Sequence, residues 1–190
     1  MTEYIGQMQI GNLFLVFCCV FYLIWWSIAF NPTKEFPMAP KVVLFLCTLA
    51  TGVVGVILLV NNMSELPKER GPIPNAGIVV GAIVVYFVLL FLTYHFLHRQ
   101  VTTELALIVG WTALELCAMN SLYRAEAMGA APAIVAAVII VVSALIGMVC
   151  YLAYYELEAQ AAFYDGMVPL ILFALVMLFQ IVLVGRVALS

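Results

Sequence analysis

The sequence predicts an all-α integral membrane protein, a bundle of about six transmembrane helices that forms a single transmembrane domain over residues 1–190. Of its 190 residues, 67% are hydrophobic and only 9% are charged, and the mean hydropathy is +1.19. A soluble domain is roughly half apolar and a quarter charged, and a chain of this size buries only about two thirds of its surface. The apolar excess therefore has to face a lipid bilayer.

The first three predicted spans cover residues 11–30, 42–60 and 77–98, because a membrane-spanning helix needs about 20 apolar residues. The first span ends in an aromatic cluster that suits the headgroup region of a bilayer. A run of prolines between residues 32 and 40 then separates it from the second span. The connection 61–76 is the longest and most polar one, and it separates the second and third spans.

The last three predicted spans cover residues 104–123, 133–155 and 167–187. The link before residue 104 is short, which predicts that the third and fourth spans form an antiparallel hairpin. Gly129 is predicted to end one helix and Pro132 to lie in the first turn of the next, since glycine favours helix ends and proline favours helix starts. Acidic residues occupy the connection 156–166.

A weak internal repeat relates the two halves of the chain. Ala-Pro pairs at residues 39–40 and 131–132 each stand 15 residues before a glycine, Gly55 and Gly147, counted from the proline. Three spans per half make such halves inverted relative to each other, which is a common plan in transporters. A 3+3 inverted repeat is therefore one interpretation of the sequence.

An even number of spans predicts that both chain termini lie on one side of the membrane. The basic loop residues divide four against three between the two sides, which gives almost no orientation signal. The wholly acidic connection 156–166 favours termini in the cytoplasm. The predicted localisation is thus an integral, multi-pass membrane protein with cytoplasmic termini.

Several functions are disfavoured by the composition. The net charge of −3 and pI near 5.2 offer no basic surface for nucleic acid. All lysines lie outside the predicted spans, which disfavours a retinal protein, because retinal binds a lysine inside a span as a Schiff base. No zinc-protease, serine-hydrolase or P-loop motif is present. The five cysteines contain no C-x-x-C pair. We therefore predict neither catalytic residues nor a cofactor.

Glu115 is the most informative residue, because it lies near the middle of the fourth span with apolar or small neighbours on both sides. An ionisable group at that depth costs several kcal/mol unless it is paired, neutralised or hydrated, so it commonly marks a functional site. Glu104 and Trp111 share its helix face, at separations of seven and four residues. The alternative is a protonated glutamic acid that only stabilises helix packing.

Polar side chains on other spans are predicted to lie at a similar depth. Thr51, Tyr86 and Ser143 lie on the second, third and fifth spans, and Gln180 lies on the sixth, somewhat nearer the termini. Together with Glu115 and Trp111 they would line a pathway for a small polar solute or an ion. Hydroxyl, amide and carboxyl groups suit a small solute or a proton better than a metal ion.

A second candidate site lies at the end of the third span. His95 and His98 are the only histidines, and with Glu104 they could form an interfacial or metal site. A metal needs three or four ligands, so two histidines three residues apart are weak support, and the metal is unknown. The alternative is an aromatic and polar anchor at the membrane surface.

The leading functional hypothesis is a small channel or transporter for a small polar solute or ion, with coupling to protons as one form of it. Six short helices make a small pathway, so a homo-oligomer in the lipid bilayer is also predicted. One alternative is a membrane enzyme or redox subunit that acts on a lipid or quinone through the histidine site. The other is an accessory subunit without activity of its own.

Overall fold

The computed structural model describes residues 2–67, 73–95 and 103–188, and within these ranges the regular elements are all helical. Six helical stretches among them are long and apolar enough to cross a membrane, so the predicted fold class is confirmed. The sixth stretch combines the last two helices. The helices are α1 (Thr2–Ala29), α2 (Met38–Glu65), α3 (Asn75–His95), α4 (Thr103–Arg124), α5 (Ala130–Ala153), α6 (Ala159–Asp165) and α7 (Met167–Ala188), with a 3₁₀ turn over Tyr154–Glu156.

Helix α1 begins well before the predicted start of the first span. It extends back to Thr2, although its first turns carry several polar residues. Ile5, Met8 and Asn12 are buried, at 7%, 2% and 4% exposure. Their spacing of three and four residues places them on one face. Burial of that face within the bundle therefore extends the helix beyond the most apolar part of the sequence.

Five helices form a closed ring in the described part of the chain. Helix α1 packs on α2 and α7, α7 packs on α5, α5 on α4, and α4 returns to α2. Helix α3 lies outside this ring and packs on α4. Thr93 is its only fully buried residue, and the remainder of α3 offers an apolar surface that suits lipid. The ring therefore has an interior to which α1, α2, α4, α5 and α7 can all contribute side chains.

The first two helices approach each other closely at small residues. A Cβ atom on Gly55 would lie 2.8 Å from the Leu15 side chain and 2.9 Å from the backbone oxygen of Gly11. A Cβ atom on Gly11 would in turn lie 3.2 Å from the Gly55 carbonyl oxygen. Membrane helices commonly associate through such small residues, because lipid supplies no hydrophobic driving force between them. The α1–α2 contact therefore depends on glycine at these positions.

The beginning of α1 and the end of α7 lie at the same end of the bundle. Gln9, near the start of α1, donates a hydrogen bond from Nε2 to the carbonyl oxygen of Ile181 at 3.2 Å, near the end of α7. At the opposite end, Trp26 contacts Gly166, the residue immediately before α7. Helices α1 and α7 are therefore antiparallel. The cytoplasmic location of the termini stays a prediction.

The inverted repeat is not confirmed. The two prolines do occupy equivalent places, since Pro40 and Pro132 each lie in the first turn of their helix. The glycines that follow have different neighbours: Gly55 faces Leu15 of α1, whereas Gly147 faces Phe173 of α7. Helix α7 packs on α5, but no matching contact of comparable extent joins α3 to α2 in the described residues.

The predicted acidic connection 156–166 contains a short helix, α6, that was not predicted. Helix α6 contacts α5 and α7. Trp26 anchors it, because its indole Nε1 donates a hydrogen bond to the Phe163 carbonyl oxygen at 3.0 Å. Gly166 makes this approach feasible, since a Cβ atom there would collide with the Trp26 ring, whose Cε2 atom would be 2.9 Å away.

We expect Gly166→Ala to displace Trp26 and to destabilise the fold by about 1–3 kcal/mol, because the added methyl group overfills a packed contact. The tryptophan fluorescence spectrum should shift with the lower thermal midpoint of the purified protein. Gly110→Ala is the matched control, because a Cβ atom there meets nothing within 4 Å. Equal stability of the two variants would contradict the observed Trp26 contact.

Helix α4 ends differently from the sequence prediction. Glu126 has a φ of 59°, and its N–H bonds the Tyr123 carbonyl at 3.1 Å while the Ala127 N–H bonds the Leu122 carbonyl at 3.0 Å. This is a Schellman motif with glutamate at the left-handed position that glycine usually fills. Gly129 instead precedes α5 as its N-cap residue. The prediction that Gly129 ends the preceding helix was wrong.

A polar network joins the start of α3 to the end of α4. Asn75 Nδ2 donates to Ser121 Oγ at 2.7 Å, and Asn120 Nδ2 donates to Asn75 Oδ1 at 2.7 Å and to the Ile73 carbonyl oxygen at 3.1 Å. Because these bonds connect the first residue of α3 to the last turn of α4, the two helices are antiparallel. The network holds the peripheral helix to the ring.

We expect Asn75→Ala to lower the free energy of unfolding by about 1–3 kcal/mol, because it leaves the polar groups of Asn120 and Ser121 without their partner. Chemical or thermal unfolding in detergent measures the change. Asn61→Ala serves as the control, since Asn61 is exposed. A loss of stability no greater than that of the control would show that the network does not hold α3 in place.

Candidate functional site

Glu115 lies at the centre of the ring. Helix α4 turns a continuous face inward, and on it Leu105, Glu115 and Leu122 are at most 2% exposed. The Glu115 side chain is 0% exposed, and both carboxyl oxygens lack a hydrogen-bond partner among the described residues. Glu115, which was predicted to lie deep in the membrane, is therefore completely buried by protein rather than exposed to lipid.

Gln180 lies against Glu115 from helix α7. It is also 0% exposed, and neither its amide oxygen nor its amide nitrogen has a hydrogen-bond partner in the described part of the chain. The Gln180 side chain is close enough to the Glu115 carboxyl to interact with it as a weak hydrogen-bond partner, but no pair of their polar atoms meets the distances and angles of a full hydrogen bond. A carboxyl group and a carboxamide thus face each other with unused bonding capacity.

Asn12 is a further buried polar side chain, and it lies on α1. It is 4% exposed, and its Oδ1 atom has no partner among the described residues. Gln9 is bonded to Ile181, and Asn12 is three residues further along α1, which is less than one helical turn. Asn12 and Gln180 therefore lie within about one turn of the same depth. We call Glu115 and Gln180 the central polar cluster, and Asn12 is a separate buried amide on α1 near the depth of Gln180.

The central polar cluster lowers the stability of the folded protein if nothing binds to it. Each buried polar group without a hydrogen bond costs about 1–3 kcal/mol, and an unpaired carboxylate costs more. In the described residues Glu115 has no ion pair to offset that cost. A bound proton or cation, with or without water, would satisfy several of these atoms at once.

A cavity opens at the end of the bundle away from the chain termini. Its volume is about 80 Å³, and we call it the aromatic cavity. The residues that line it belong to the end of α1, the start of α4, the end of α5 and the start of α7, which all lie at that end of the bundle. It is lined by Tyr22, Trp26, Glu104, Leu107, Ile108, Gly147, Cys150, Tyr151, Tyr154, Asp165, Gly166, Pro169, Leu170 and Phe173.

A stacked ring pair lies between the aromatic cavity and the central polar cluster. Trp111 and Phe173 stack with their centroids 4.0 Å apart and their planes 12° apart. Phe173 lines the cavity, and Trp111 lies one helical turn before Glu115 on α4. Gly147 leaves room for Phe173, because a Cβ atom there would be 3.2 Å from its Cζ atom. Along the bundle axis, the pair therefore lies between the level of the cavity and the level of Glu115.

A second cavity, of about 620 Å³, lies near the opposite end between α2, α3 and α4. Met63, Asn75, Cys117 and Arg124 are among its lining residues. Glu115 lines neither this cavity nor the aromatic one. The central polar cluster is thus enclosed by side chains in this conformation.

The other predicted pathway residues are dispersed. Thr51 bonds its own helix through the Cys47 carbonyl oxygen at 2.8 Å, Tyr86 is half-buried on the peripheral helix α3, and Ser143 is buried on α5. No hydrogen bond joins any of them to Glu115, whose oxygens have no partner in the described ranges. Trp111 and Gln180 are the predicted residues that surround Glu115 most directly.

The predicted histidine site has no structural support as a metal centre. His95 is exposed at the end of α3, where its ring stacks on Phe91 at 5.2 Å. His98 lies outside the described residues. Glu104 lines the aromatic cavity. Within the described ranges, no group of three or more His, Cys, Asp or Glu side chains could hold a metal ion.

Two parts of the site were missed from sequence. Asn12 is buried beside the level of Gln180, and Asp165 lines the aromatic cavity. The spacing of Asn12 from Met8 and Val16, four residues on each side, is the signal that could have placed it on the buried face of α1. Asp165 offered no comparable signal, because it stands in a connection whose short helix was not predicted.

Comparisons with known proteins returned nothing similar to this chain. No protein-family model, curated protein or solved structure matches it.

Proposed function

We propose that this protein is a small membrane transporter that binds a monovalent cation or a proton at the central polar cluster. One observation carries the proposal: the fully buried Glu115 carboxyl faces the fully buried Gln180 amide, and none of their four polar atoms makes a hydrogen bond of full geometry with the described residues. Intramembrane ionisable groups that face a bundle interior commonly mark ion or proton pathways.

The chemistry of the cluster favours a small monovalent ion. Carboxylate and carboxamide oxygens are hard ligands that suit hard cations. Glu115 supplies one negative charge, which balances one positive charge in a site without other charged neighbours in the described residues. When a proton is the bound ion, the neutral Glu115 carboxyl donates its O–H to the Gln180 Oε1 atom, which accepts it.

The packing favours a carrier over an open channel. The stacked Trp111–Phe173 pair stands between the central polar cluster and the aromatic cavity. Passage of an ion therefore requires these rings to separate, as in alternating access, where helices move around a site near the bilayer midplane. Transport of a larger polar solute and assembly into a homo-oligomer stay predictions.

Ion movement into liposomes that contain the purified protein tests this proposal. Proton flux is followed with an enclosed pH-sensitive dye, and Na⁺ and K⁺ fluxes are followed with ion-sensitive dyes. We expect the protein to dissipate at least one of these three gradients faster than protein-free liposomes do. The proposal would be refuted if the H⁺, Na⁺ and K⁺ gradients all dissipate at the same rate in liposomes with protein as in liposomes without it.

A further inference from the structure

The aromatic cavity has the chemistry of a cation-binding site that is separate from the central polar cluster. Its described lining residues include two carboxyl groups, Glu104 and Asp165, and no lysine, arginine or histidine. The remaining lining is aromatic and aliphatic. We propose that this cavity binds a small alkylammonium ion. The inference goes beyond the proposed function, because it concerns binding at the end of the bundle and holds whether or not Glu115 moves an ion.

Asp165 supplies the negative charge. Its Oδ2 atom is enclosed and has no hydrogen-bond partner among the described residues. The Cys150 thiol is a hydrogen-bond partner of the same carboxyl group, and Oδ2 is the oxygen that has no partner of full hydrogen-bond geometry. The carboxylate therefore presents one enclosed oxygen that can accept a charge-assisted hydrogen bond from an ammonium N–H group.

Tyr151 provides a second, independent indication of a ligand. This residue lines the cavity and is 4% exposed, yet its hydroxyl group has no partner in the described part of the chain. Buried tyrosine hydroxyls usually find a hydrogen-bond partner. An ammonium group with at least two N–H bonds can donate one to Tyr151 Oη and another to Asp165 Oδ2.

Tyr22, Trp26 and Tyr154 contribute aromatic rings to the lining of the same cavity. The Trp26 ring lies 6.0 Å from the Tyr154 ring at 66° and 6.5 Å from the Tyr22 ring at 64°. Ring faces attract cations through their quadrupoles, and tryptophan does so most strongly. The rings also offer apolar surface to the alkyl part of the ligand. This combination favours an organic cation over a metal ion.

The volume of the cavity limits the ligand to a few atoms. A single water needs about 10–15 Å³ of such volume, so 80 Å³ holds roughly five to eight water-sized units. Isopropylammonium, with four non-hydrogen atoms, fits this limit. Isopropanol has the same carbon skeleton with a neutral hydroxyl group in place of the ammonium group, so the two compounds isolate the effect of charge.

Equilibrium dialysis of the purified full-length protein against radiolabelled isopropylammonium, at constant ionic strength in NaCl, tests the proposal. We expect saturable binding to one site, displaced by methylammonium and not by isopropanol. Asp165→Asn should weaken binding by about ten-fold or more, and Tyr151→Phe by about two- to ten-fold, through loss of a charged and an ordinary hydrogen bond. Tyr154→Leu should weaken it by about two- to five-fold through loss of a ring face.

Matched controls lie nearby on the same connection. Glu158→Gln removes an exposed carboxylate, and Tyr164→Leu removes a ring that is 59% exposed; neither residue lines the cavity. Both controls should bind isopropylammonium as the wild type does. Three results would each overturn the proposal. They are the absence of saturable binding, displacement by isopropanol equal to that by methylammonium, and control variants that lose as much affinity as Asp165→Asn and Tyr151→Phe. Tyr151→Phe keeps the ring, so it remains informative if Asp165→Asn fails to fold.

Discussion

Glu115→Gln is expected to abolish cation movement into liposomes, reducing it to the protein-free rate, while the bundle stays folded. Glutamine has nearly the same shape as glutamate but cannot carry the negative charge that balances a bound cation, nor bind and release a proton. Its amide can instead bond the facing Gln180 side chain. Because the original carboxyl has no partner among the described residues, the substitution removes a costly buried group rather than a stabilising one.

The stability of the variant separates function from packing. We expect the thermal midpoint of Glu115→Gln in detergent to equal or exceed that of the wild type. Glu158→Gln, which neutralises an exposed carboxylate outside the ring, should leave both transport and stability unchanged. Full transport by Glu115→Gln would remove this carboxyl from the mechanism. Loss of folding would instead favour the alternative in which Glu115 serves helix packing.

Gly55→Leu is expected to prevent α1 and α2 from packing and so to yield little folded protein. Already the first side-chain carbon would lie 2.8 Å from Leu15 and 2.9 Å from the Gly11 carbonyl oxygen, and that oxygen belongs to the backbone of a neighbouring helix. Overfilling a packed contact costs about 1–3 kcal/mol for small additions. A branched four-carbon side chain at this position exceeds that range, because the helices have to separate.

Gly55→Ala gives the graded version of this experiment, with an expected loss of about 1–3 kcal/mol. Gly81→Ala and Gly81→Leu on α3 are matched controls, since a Cβ atom at residue 81 meets nothing within 4 Å. Thermal unfolding and size-exclusion chromatography compare the four variants. Gly55→Leu protein that elutes and unfolds as the Gly81 variants do would contradict the close α1–α2 contact.

The number of helices could be predicted from sequence because run length and apolar composition suffice to identify membrane spans. Helix ends could not be predicted as well. Helix α1 includes Glu3, Gln7 and Gln9, which interrupt the apolar run, yet the helix continues through them because Ile5 and Met8 are buried by neighbouring helices. Such burial depends on tertiary structure and leaves only a weak trace in hydropathy.

The same error hid Asn12 from the candidate site. With a predicted span beginning at residue 11, Asn12 would lie at the membrane surface, where an amide is unremarkable. With α1 beginning at Thr2, the residue lies well inside the helix and is 4% exposed. One misplaced boundary thus changed the expected environment of a polar side chain from water to the interior of the ring.

Depth along the membrane was predictable, but rotation about each helix axis was not. Glu115 was predicted near the middle of its span and Gln180 somewhat nearer the termini, and the two are neighbours in the structure. Thr51 and Tyr86 have similar predicted depths, but Thr51 bonds its own helix and Tyr86 lies on a helix outside the ring. Which helices adjoin in a bundle is set by packing, which a single sequence does not specify.

Infrared difference spectroscopy of the membrane-reconstituted protein tests the role of Glu115 most directly. We expect a carboxyl band to change when protons or Na⁺ are added, and we expect that band to be missing from the difference spectrum of Glu115→Gln. Identical difference spectra for the wild type and Glu115→Gln would mean that this carboxyl neither binds nor releases a cation, which contradicts its assignment as the ion-binding centre.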